Sequence, residues 1–185
     1  SSPRPIKNYI TEDPKGVNWI KIGDTKGVDK YITKTRQKIT KEGAERSRQV
    51  NKGDLLLSNS MSYGKPFIMG ISGYIHDGWF VLHTNREVDS EFLFYALSSK
   101  LVQNQFSNLA AGSVVKNISG DLVKKAVIPI PSLSEQKQFV EDIKNLYPPI
   151  KSLTSVFNAK LGSLDELKLS ILQEAFNGNL TKEIT

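Results

Sequence analysis

Residues 128–140 read Ile-Pro-Ile-Pro-Ser-Leu-Ser-Glu-Gln-Lys-Gln-Phe-Val, and this stretch divides the chain into two parts. Its alternate prolines hold the backbone extended, because each proline fixes its own φ and pushes the preceding residue toward β or polyproline geometry. Ser134 is then placed to cap a helix whose first turn is polar. The stretch predicts a fixed joint between a globular domain and a helical region, and an ordinary strand-to-helix connection is the alternative.

The composition is that of a globular chain. It has 185 residues, of which 38% are hydrophobic, and this suits one medium domain with an appended element. No run of about 18 apolar residues occurs, which predicts no membrane span. Cysteine is absent, which excludes disulfides and thiolate metal sites and fits a reducing cytoplasm. His76 and His83 are expected to be packing or surface residues, so no metal or other cofactor is predicted.

The excess positive charge lies in the first third of the chain. The net charge is +6, and residues 1–65 hold 14 Lys and Arg against 7 Asp and Glu. A confined basic patch is typical of phosphate binding, and a solvated face without a partner is the alternative. We expect the candidates to divide between phosphate and base contacts, without assigning which does which. They are Lys34, Arg36, Arg46 and Arg48.

Two polar loops are the next candidates for contacts with phosphates or base edges. The first loop follows a short apolar run typical of a buried strand, Leu55–Leu57. Its candidate residues are Asn59, Ser60, Ser62, Tyr63 and Lys65. The second loop follows a helical pattern and supplies Ser113, Lys116 and Asn117. A hairpin loop without a function would have a similar composition, so composition alone does not separate the two possibilities.

The periodicity before the prolines predicts a mixed α/β domain of about 130 residues. Alternation over Val17–Ile22 predicts a strand, Thr40 is placed to cap a short helix, and Asp89 or Ser90 to begin a longer one. The other predicted strands cover 67–72, 73–83 with a turn at 76–78, and 123–130.

The part of the chain after the prolines predicts helix almost throughout. Pro148 and Pro149 should stop or kink the first helix, since an interior proline costs roughly 3 kcal/mol. An apolar seam with a seven-residue repeat then follows, formed by Ile150, Leu153, Phe157, Leu161, Leu164 and Ile171. Such a seam fits a partner helix, and packing back onto the chain's own domain is the alternative. Gly162 leaves open whether this region is one long helix or two.

The sequence carries no recognisable catalytic motif. It has no phosphate-binding loop of the Gly-x-x-x-x-Gly-Lys-Ser/Thr type, no Gly-x-Ser-x-Gly elbow, and no Asn-Pro-Pro-Tyr-like motif of an amino-methyltransferase. Two Glu-x-Lys pairs could suggest a nuclease, but both fall in predicted helices, where residues two apart point to different faces. The sequence therefore predicts a binding protein, not an enzyme.

Several segments together resemble the specificity subunit of Type I restriction-modification systems. The more specific ones are the Ile-Pro-x-Pro run followed by Glu135-Gln136, and Ser-Ile-Leu-Gln at 170–173. The matching segments follow the family's order from Asn18 to Leu180. The others lie at 18–24, 50–58, 64–66, 91–97, 112–119 and 174–180.

The resemblance implies an α+β target recognition domain over residues 1–131 and a helical, coiled-coil-type spacer over 132–185. In this family the first part reads one half of a split double-stranded DNA sequence. The spacer sets the distance between halves and docks methyltransferase subunits, and through them the restriction subunit. This chain has one such unit where the family usually has two, so we expect a half-subunit that forms a homodimer through its helices. Many members have an Asn-Gln pair where this chain has His76-Asp77-Gly78-Trp79, so no role is carried over there.

Two other classes of protein stay open at this point. One is the recognition part of a fused restriction-methyltransferase enzyme, whose catalytic domain would lie outside these residues. The other is a helical scaffold protein with incidental basic charge. Salt-dependent binding to duplex DNA would separate the two DNA-binding classes from the scaffold. A separate methyltransferase gene beside this one would separate the specificity subunit from the fused enzyme.

Overall fold

The structure of the chain, a computed structural model, describes residues 2–4, 6–59, 64–110 and 118–178, without the side chains of 109 and 110. The chain divides into two compact units, Ser1–Lys137 and Gln138–Thr185. The first unit combines strands and helices, and the described part of the second is helical to Phe176. The predicted α+β class is therefore confirmed.

The strands are short and all lie in the first unit. They are β1 Ile10–Thr11, β2 Val17–Ile20, β3 Tyr31–Ile32, β4 Gln37–Ile39, β5 Arg48–Val50, β6 Leu55–Ser58, β7 Pro66–Met69, β8 Gly73–Ile75 and β9 Trp79–Leu82. The helices are α1 Lys41–Glu45, α2 Ser90–Ser98, α3 Lys100–Ala110, α4 Gly120–Lys125 and α5 Leu133–Phe176. Two 3₁₀ turns cover Ile6–Asn8 and Ile22–Thr25.

The strands form two sheets. Sheet A has the order β1-β4-β2-β8-β5, and sheet B has the order β3-β7-β6-β9. In sheet A, β2 and β8 run parallel, with Trp19 opposite Tyr74. The outer neighbours β4 and β5 run antiparallel to them, with Arg48 of β5 opposite Ile75 of β8.

Sheet B is covered on both faces, because alternate side chains of a strand point to opposite sides. Leu56 of β6 lies in a buried cluster between the two sheets. Its neighbours Leu55 and Leu57 lie in a second cluster with Phe94 of α2 and Phe106 of α3. All four residues of β6 are buried, which explains why its first three residues, Leu55–Leu57, are all apolar and do not alternate with polar ones.

Several predicted local features are confirmed. The Thr40 hydroxyl accepts a hydrogen bond from the Gly43 N–H and caps α1. Asp89 caps α2, its carboxylate accepting from the N–H groups of Glu91 and Phe92. The predicted break at residues 76–78 is the turn between β8 and β9.

The predicted strand over 123–130 is wrong. Ser119 accepts a hydrogen bond from the Leu122 N–H and caps α4, and no regular structure follows until α5. The side chain of Gln105 bonds both backbone groups of Val127, its Oε1 accepting at 2.9 Å and its Nε2 donating at 2.9 Å. The Gln105 amide group thus makes the two backbone hydrogen bonds of Val127 that a neighbouring strand would otherwise make. The β2 strand is also shorter than predicted, because the Lys21 N–H turns to the Asp24 carboxylate.

The start of α5 lies two residues earlier than predicted. The helix begins at Leu133, so its cap is Ser132 and not Ser134. The Ser132 N–H donates to the Glu135 carboxylate at 2.9 Å, and the Glu135 N–H lies 3.4 Å from the Ser132 hydroxyl. This is a capping box, and the hydrogen bonds from Ser132 lower the pKa of Glu135.

The long helix α5 continues through Pro148 and Pro149, and Gly162 does not break it. The predicted stop at the prolines is therefore wrong. The two adjacent prolines remove only two backbone N–H donors, both within one turn. The turns on either side keep their hydrogen bonds, so the helix continues through the prolines. The helix has 44 residues, or about 66 Å at 1.5 Å per residue. Within the residues described, no helix combines the length and apolarity needed to cross a membrane.

Candidate nucleic-acid interface

Two of the predicted arginines lie at the same end of sheet A. At this end β2 and β8 finish, while the antiparallel strands β4 and β5 begin. Arg36 directly precedes β4, and Arg48 is the first residue of β5. We call this the arginine end of the sheet. Since β2 and β8 lie between β4 and β5, the outer strands are about 14 Å apart at the usual strand spacing.

A buried carboxylate fixes the backbone at this end. Asp24 accepts the N–H of Lys21 at 2.9 Å and the N–H of Arg36 at 3.2 Å. The side chains of Arg36 and of Lys34, two residues earlier, are exposed. Among the described residues, neither side chain has an ion pair or a hydrogen bond, so both are available to an anionic ligand.

Arg48 lies at the edge of a small cavity. Its side chain is on the same face of β5 as Val50, which is buried between the two sheets. The cavity has a volume of about 200 Å³. Its lining residues are Arg48, Ile75, His76, Asp77, Trp79 and Phe80. Within the described part of the chain, the exposed Arg48 guanidinium has no carboxylate partner.

The turn between β8 and β9 forms one wall of this cavity. The Nδ1 atom of His76 accepts a hydrogen bond from the Gly78 N–H at 2.8 Å. Its ring lies near Trp19 and Trp79, with ring centroids 6.3 and 6.4 Å away. Burial lowers the pKa of His76; Asp77 and Asp24 oppose that shift, and Lys21 adds to it. Burial therefore favours the neutral imidazole, the form in which Nδ1 can accept a hydrogen bond.

Asp77 joins the same turn to the N-terminal segment. Its carboxylate accepts from the Arg4 guanidinium at 2.8 Å and from the Ser2 hydroxyl at 3.0 Å. Burial acts to raise the pKa of Asp77, but these hydrogen bonds and the charge of Arg4 outweigh it and leave the pKa lowered. A larger cavity of about 830 Å³ lies beside this segment, with Lys21 in its lining.

The turn also holds the bases of the two predicted loops together. The Asn59 N–H donates to the Gly78 carbonyl at 2.9 Å, and the Asn59 side chain donates to the Asp77 carbonyl at 2.8 Å. The Asn59 carbonyl accepts from the Ile118 N–H at 2.8 Å. The base of the first loop therefore lies beside the end of the second. Asn59, predicted as a contact, uses its polar groups to hold this junction.

Gly64, the first described residue after the first loop, lies against the core. Its φ is +64°, and a Cβ at this position would lie 2.7 Å from the Phe106 ring. The Gly64 and Lys65 N–H groups donate to the carbonyl and hydroxyl of Ser58. Six predicted contact residues, Ser60, Ser62, Tyr63, Ser113, Lys116 and Asn117, lie outside the described residues.

The other two basic candidates among the described residues already have protein partners. Arg46 lies 3.4 Å from Glu42 and stacks over the Tyr9 ring at 5.5 Å, on the side of sheet A covered by α1. The exposed Lys65 ammonium lies 3.4 Å from the Val28 carbonyl and 5.2 Å from the centre of the Phe67 ring. The structure thus separates Lys34, Arg36 and Arg48 from Arg46 and Lys65.

Sequence reasoning did not select Asp77 or Phe80. The turn signal at residues 76–78 predicted the turn itself. Which residues share a cavity with Arg48 depends on the pairing of β5 with β8. Phe80 lies beside the start of α4, 3.7 Å from the position that a Cβ on Gly120 would take. Among the described residues, no cluster of His, Asp or Glu is arranged to hold a metal ion.

The predicted seam of the second unit is exposed in the single chain. Its six residues, Ile150, Leu153, Phe157, Leu161, Leu164 and Ile171, have exposed fractions of 50–61%. The seam is thus an apolar stripe on α5 that remains uncovered.

Comparison with known proteins relates both units to one family. Residues 1–161 match the family model of the Type I restriction modification DNA specificity domain. The specificity subunit of the EcoKI enzyme from Escherichia coli strain K12 is 30% identical over 156 residues, 78% of this chain and 32% of the relative. That of MjaVIII from Methanocaldococcus jannaschii is 24% identical over 153 residues, with coverages of 81% and 34%. The chain therefore spans about a third of the length of these curated relatives.

Two solved structures have the same fold. A chain from a structure of a type I R-M system, described for its complex assembly and conformational transition, superposes with a TM-score of 0.70 at 18% identity. The match covers 97% of this chain and 42% of that one. The HsdS subunit from Thermoanaerobacter tengcongensis superposes with a TM-score of 0.65 at 19% identity, with coverages of 97% and 41%.

Proposed function

Because this chain belongs to the Type I restriction modification DNA specificity family, we propose that its first unit binds double-stranded DNA and reads one half of a split target. The observation that carries this proposal is the meeting of three distant segments at one place. Arg48, the base of the loop after Asn59, and the end of the loop before Ile118 all lie around the turn between β8 and β9.

The charge distribution supports a DNA ligand. The first 65 residues carry an excess of seven positive charges, from 14 basic and 7 acidic side chains. Lys34, Arg36 and Arg48 reach the surface without carboxylate partners among the described residues. When such side chains neutralise phosphates, counterions are released from the duplex, and this release contributes affinity for DNA of any sequence. The side chains of the two loops, Tyr63 and Asn117 among them, are proposed to add contacts at the same surface.

The second unit is proposed to join two chains and to dock methyltransferase subunits, through which a restriction subunit would be recruited. The support is its uncovered apolar stripe, since a soluble helix normally buries such a face. The chain itself is proposed to bind without catalysing, because its sequence has no recognisable catalytic motif and its charge suits binding. No cofactor is proposed for this chain.

Salt dependence of duplex binding tests the proposed function. The logarithm of the affinity should fall linearly with the logarithm of salt concentration. Lys34→Ala combined with Arg36→Ala should reduce that slope by about 1.8, since each lost phosphate contact contributes about 0.9. The matched control is Lys151→Ala with Lys160→Ala, which removes the same charge from the second unit. Equal slopes for the two double variants would contradict a DNA surface at the arginine end.

A further inference from the structure

We propose that Arg48 reads a guanine in the major groove, its guanidinium donating to the O6 and N7 atoms of the base. This inference rests on the proposed function and assigns one residue of the interface to base recognition. Arginine donates in a fixed fork that matches the two adjacent acceptors of guanine, and this pairing is the commonest specific contact between proteins and DNA.

The surroundings of Arg48 favour a base edge over a phosphate. Its cavity is also lined by the apolar side chains of Ile75 and Phe80 and by Asp77, whose carboxylate is already bonded to Arg4 and Ser2. Apolar walls offer a phosphate no hydrogen-bond donors, whereas the edge of a base pair can pack against them and still present acceptors to the arginine. Lys34 and Arg36, at the other side of the arginine end, belong to no such cavity among those described, so they suit phosphate contacts.

The backbone around Arg48 is held firmly enough to position a reading side chain. Arg48 opens β5 and pairs with Ile75 in a fixed register. The facing turn is braced by the His76–Gly78 hydrogen bond and by the two bonds that Asn59 makes to Asp77 and Gly78. A base-reading residue needs this support, because a bidentate contact tolerates little displacement.

Arg46 provides a matched comparison two residues away. Its guanidinium is occupied by the Glu42 carboxylate and the Tyr9 ring. Arg46 and Arg48 are both exposed and carry the same charge, so removing either changes the net charge equally. If base preference is lost in Arg48→Ala and kept in Arg46→Ala, the loss is due to the position of Arg48 in the cavity and not to its charge.

The experiment begins with the intact chain and a random duplex library, from which the preferred sequence is selected. Dissociation constants are then measured for that sequence and for each single base-pair change, with wild type, Arg48→Ala, Arg48→Lys and Arg46→Ala. Arg48→Ala should lose roughly 5- to 150-fold discrimination at one G·C pair in each half-site and keep it elsewhere. Arg48→Lys should keep the salt slope and lose most of that discrimination. Arg46→Ala should keep both properties.

Replacing the guanine at that position by 7-deazaguanine completes the test. The wild type should lose affinity for the modified duplex, because the N7 acceptor is gone, whereas Arg48→Ala should bind both duplexes equally. The inference is overturned if Arg48→Ala weakens every sequence equally, as a phosphate contact would, or if it keeps the full wild-type preference. A wild type that shows no salt-dependent duplex binding would instead overturn the proposed function, and this inference with it. Unchanged tryptophan fluorescence would show that the variants fold.

Discussion

A single side chain ties the first turn of α5 to the rest of the first unit. Gln136 is fully buried, and its amide group is hydrogen bonded on both sides. Its Oε1 accepts from the Asp89 N–H at 2.8 Å, and its Nε2 donates to the carbonyls of Glu87 at 2.9 Å and Pro131 at 2.8 Å. Since Asp89 also caps α2, one glutamine ties the first turn of α5 to the start of α2.

Gln136→Ala should lower the free energy of unfolding by about 1–3 kcal/mol, because it empties a fully buried side-chain site and removes three part-buried hydrogen bonds. Urea unfolding followed by tryptophan fluorescence measures this directly, since Trp19 and Trp79 are both buried in the first unit. The control is Gln138→Ala, whose exposed side chain donates only to Asp142 among the described residues. This surface change should stay within about 0.5 kcal/mol of wild type. Equal losses in the two variants would show that the network around Gln136 does not stabilise the joint.

Among the elements, α5 carries a stripe of apolar side chains that is exposed in the single chain. The spacing of seven residues from Ile150 to Ile171 places its apolar side chains along one side of the helix. Each of these side chains is at least half exposed in the single chain. A second copy of α5 would cover the stripe by symmetry, which is the physical reason for expecting a homodimer.

Phe157→Asp should separate the proposed dimer, because a buried apolar side chain contributes roughly 1.5–3 kcal/mol and the substitution adds a charge to each copy. Light scattering at tens of micromolar should give the mass of two chains for wild type and of one for the variant. Ser155→Asp is the charge-matched control, since it lies about 200° around the helix from Phe157 and should stay dimeric. Wild-type protein with the mass of a single chain would contradict the dimer.

At the scale of the whole molecule, a dimer with twofold symmetry requires a DNA target with twofold symmetry. Two identical first units related by a symmetry axis would read identical half-sites in inverted orientation. We propose that the sequence between the half-sites is free to vary and that the helical second units set its length.

Adding one base pair to the gap should weaken binding to the selected split site. Each base pair rotates one half-site against the other by about 35° and moves it by about 3.4 Å, so both units can no longer seat at once. Binding measured across a series of gap lengths should show one optimum for the wild type. Phe157→Asp serves as the control and should bind with equal affinity at every gap length. A wild type indifferent to the gap would contradict a rigid spacer.

Much of the molecule was predictable from its sequence, where short-range chemistry decides the outcome. Thr40 and Asp89 cap their helices because a cap needs only a side chain and the next three residues. The helical seam follows from a period of seven, and the class of fold from alternation and glycine turns. The basic excess before residue 65 likewise required only counting. These features are local, so no distant partner could overrule them.

Only the tertiary structure decided which of the candidate residues meet. Arg48, Asn59 and Ile118 come together because β5 pairs with β8 and the following turn bonds to Asn59, contacts that join residues far apart in the chain. A distant partner also explains why the predicted strand at 123–130 is absent. Val127 forms no strand because Gln105, 22 residues earlier, supplies both of its hydrogen bonds. Hydrogen bonds and ion pairs depend on where side chains meet in space, and that meeting is a property of the packed sheets and not of any single stretch.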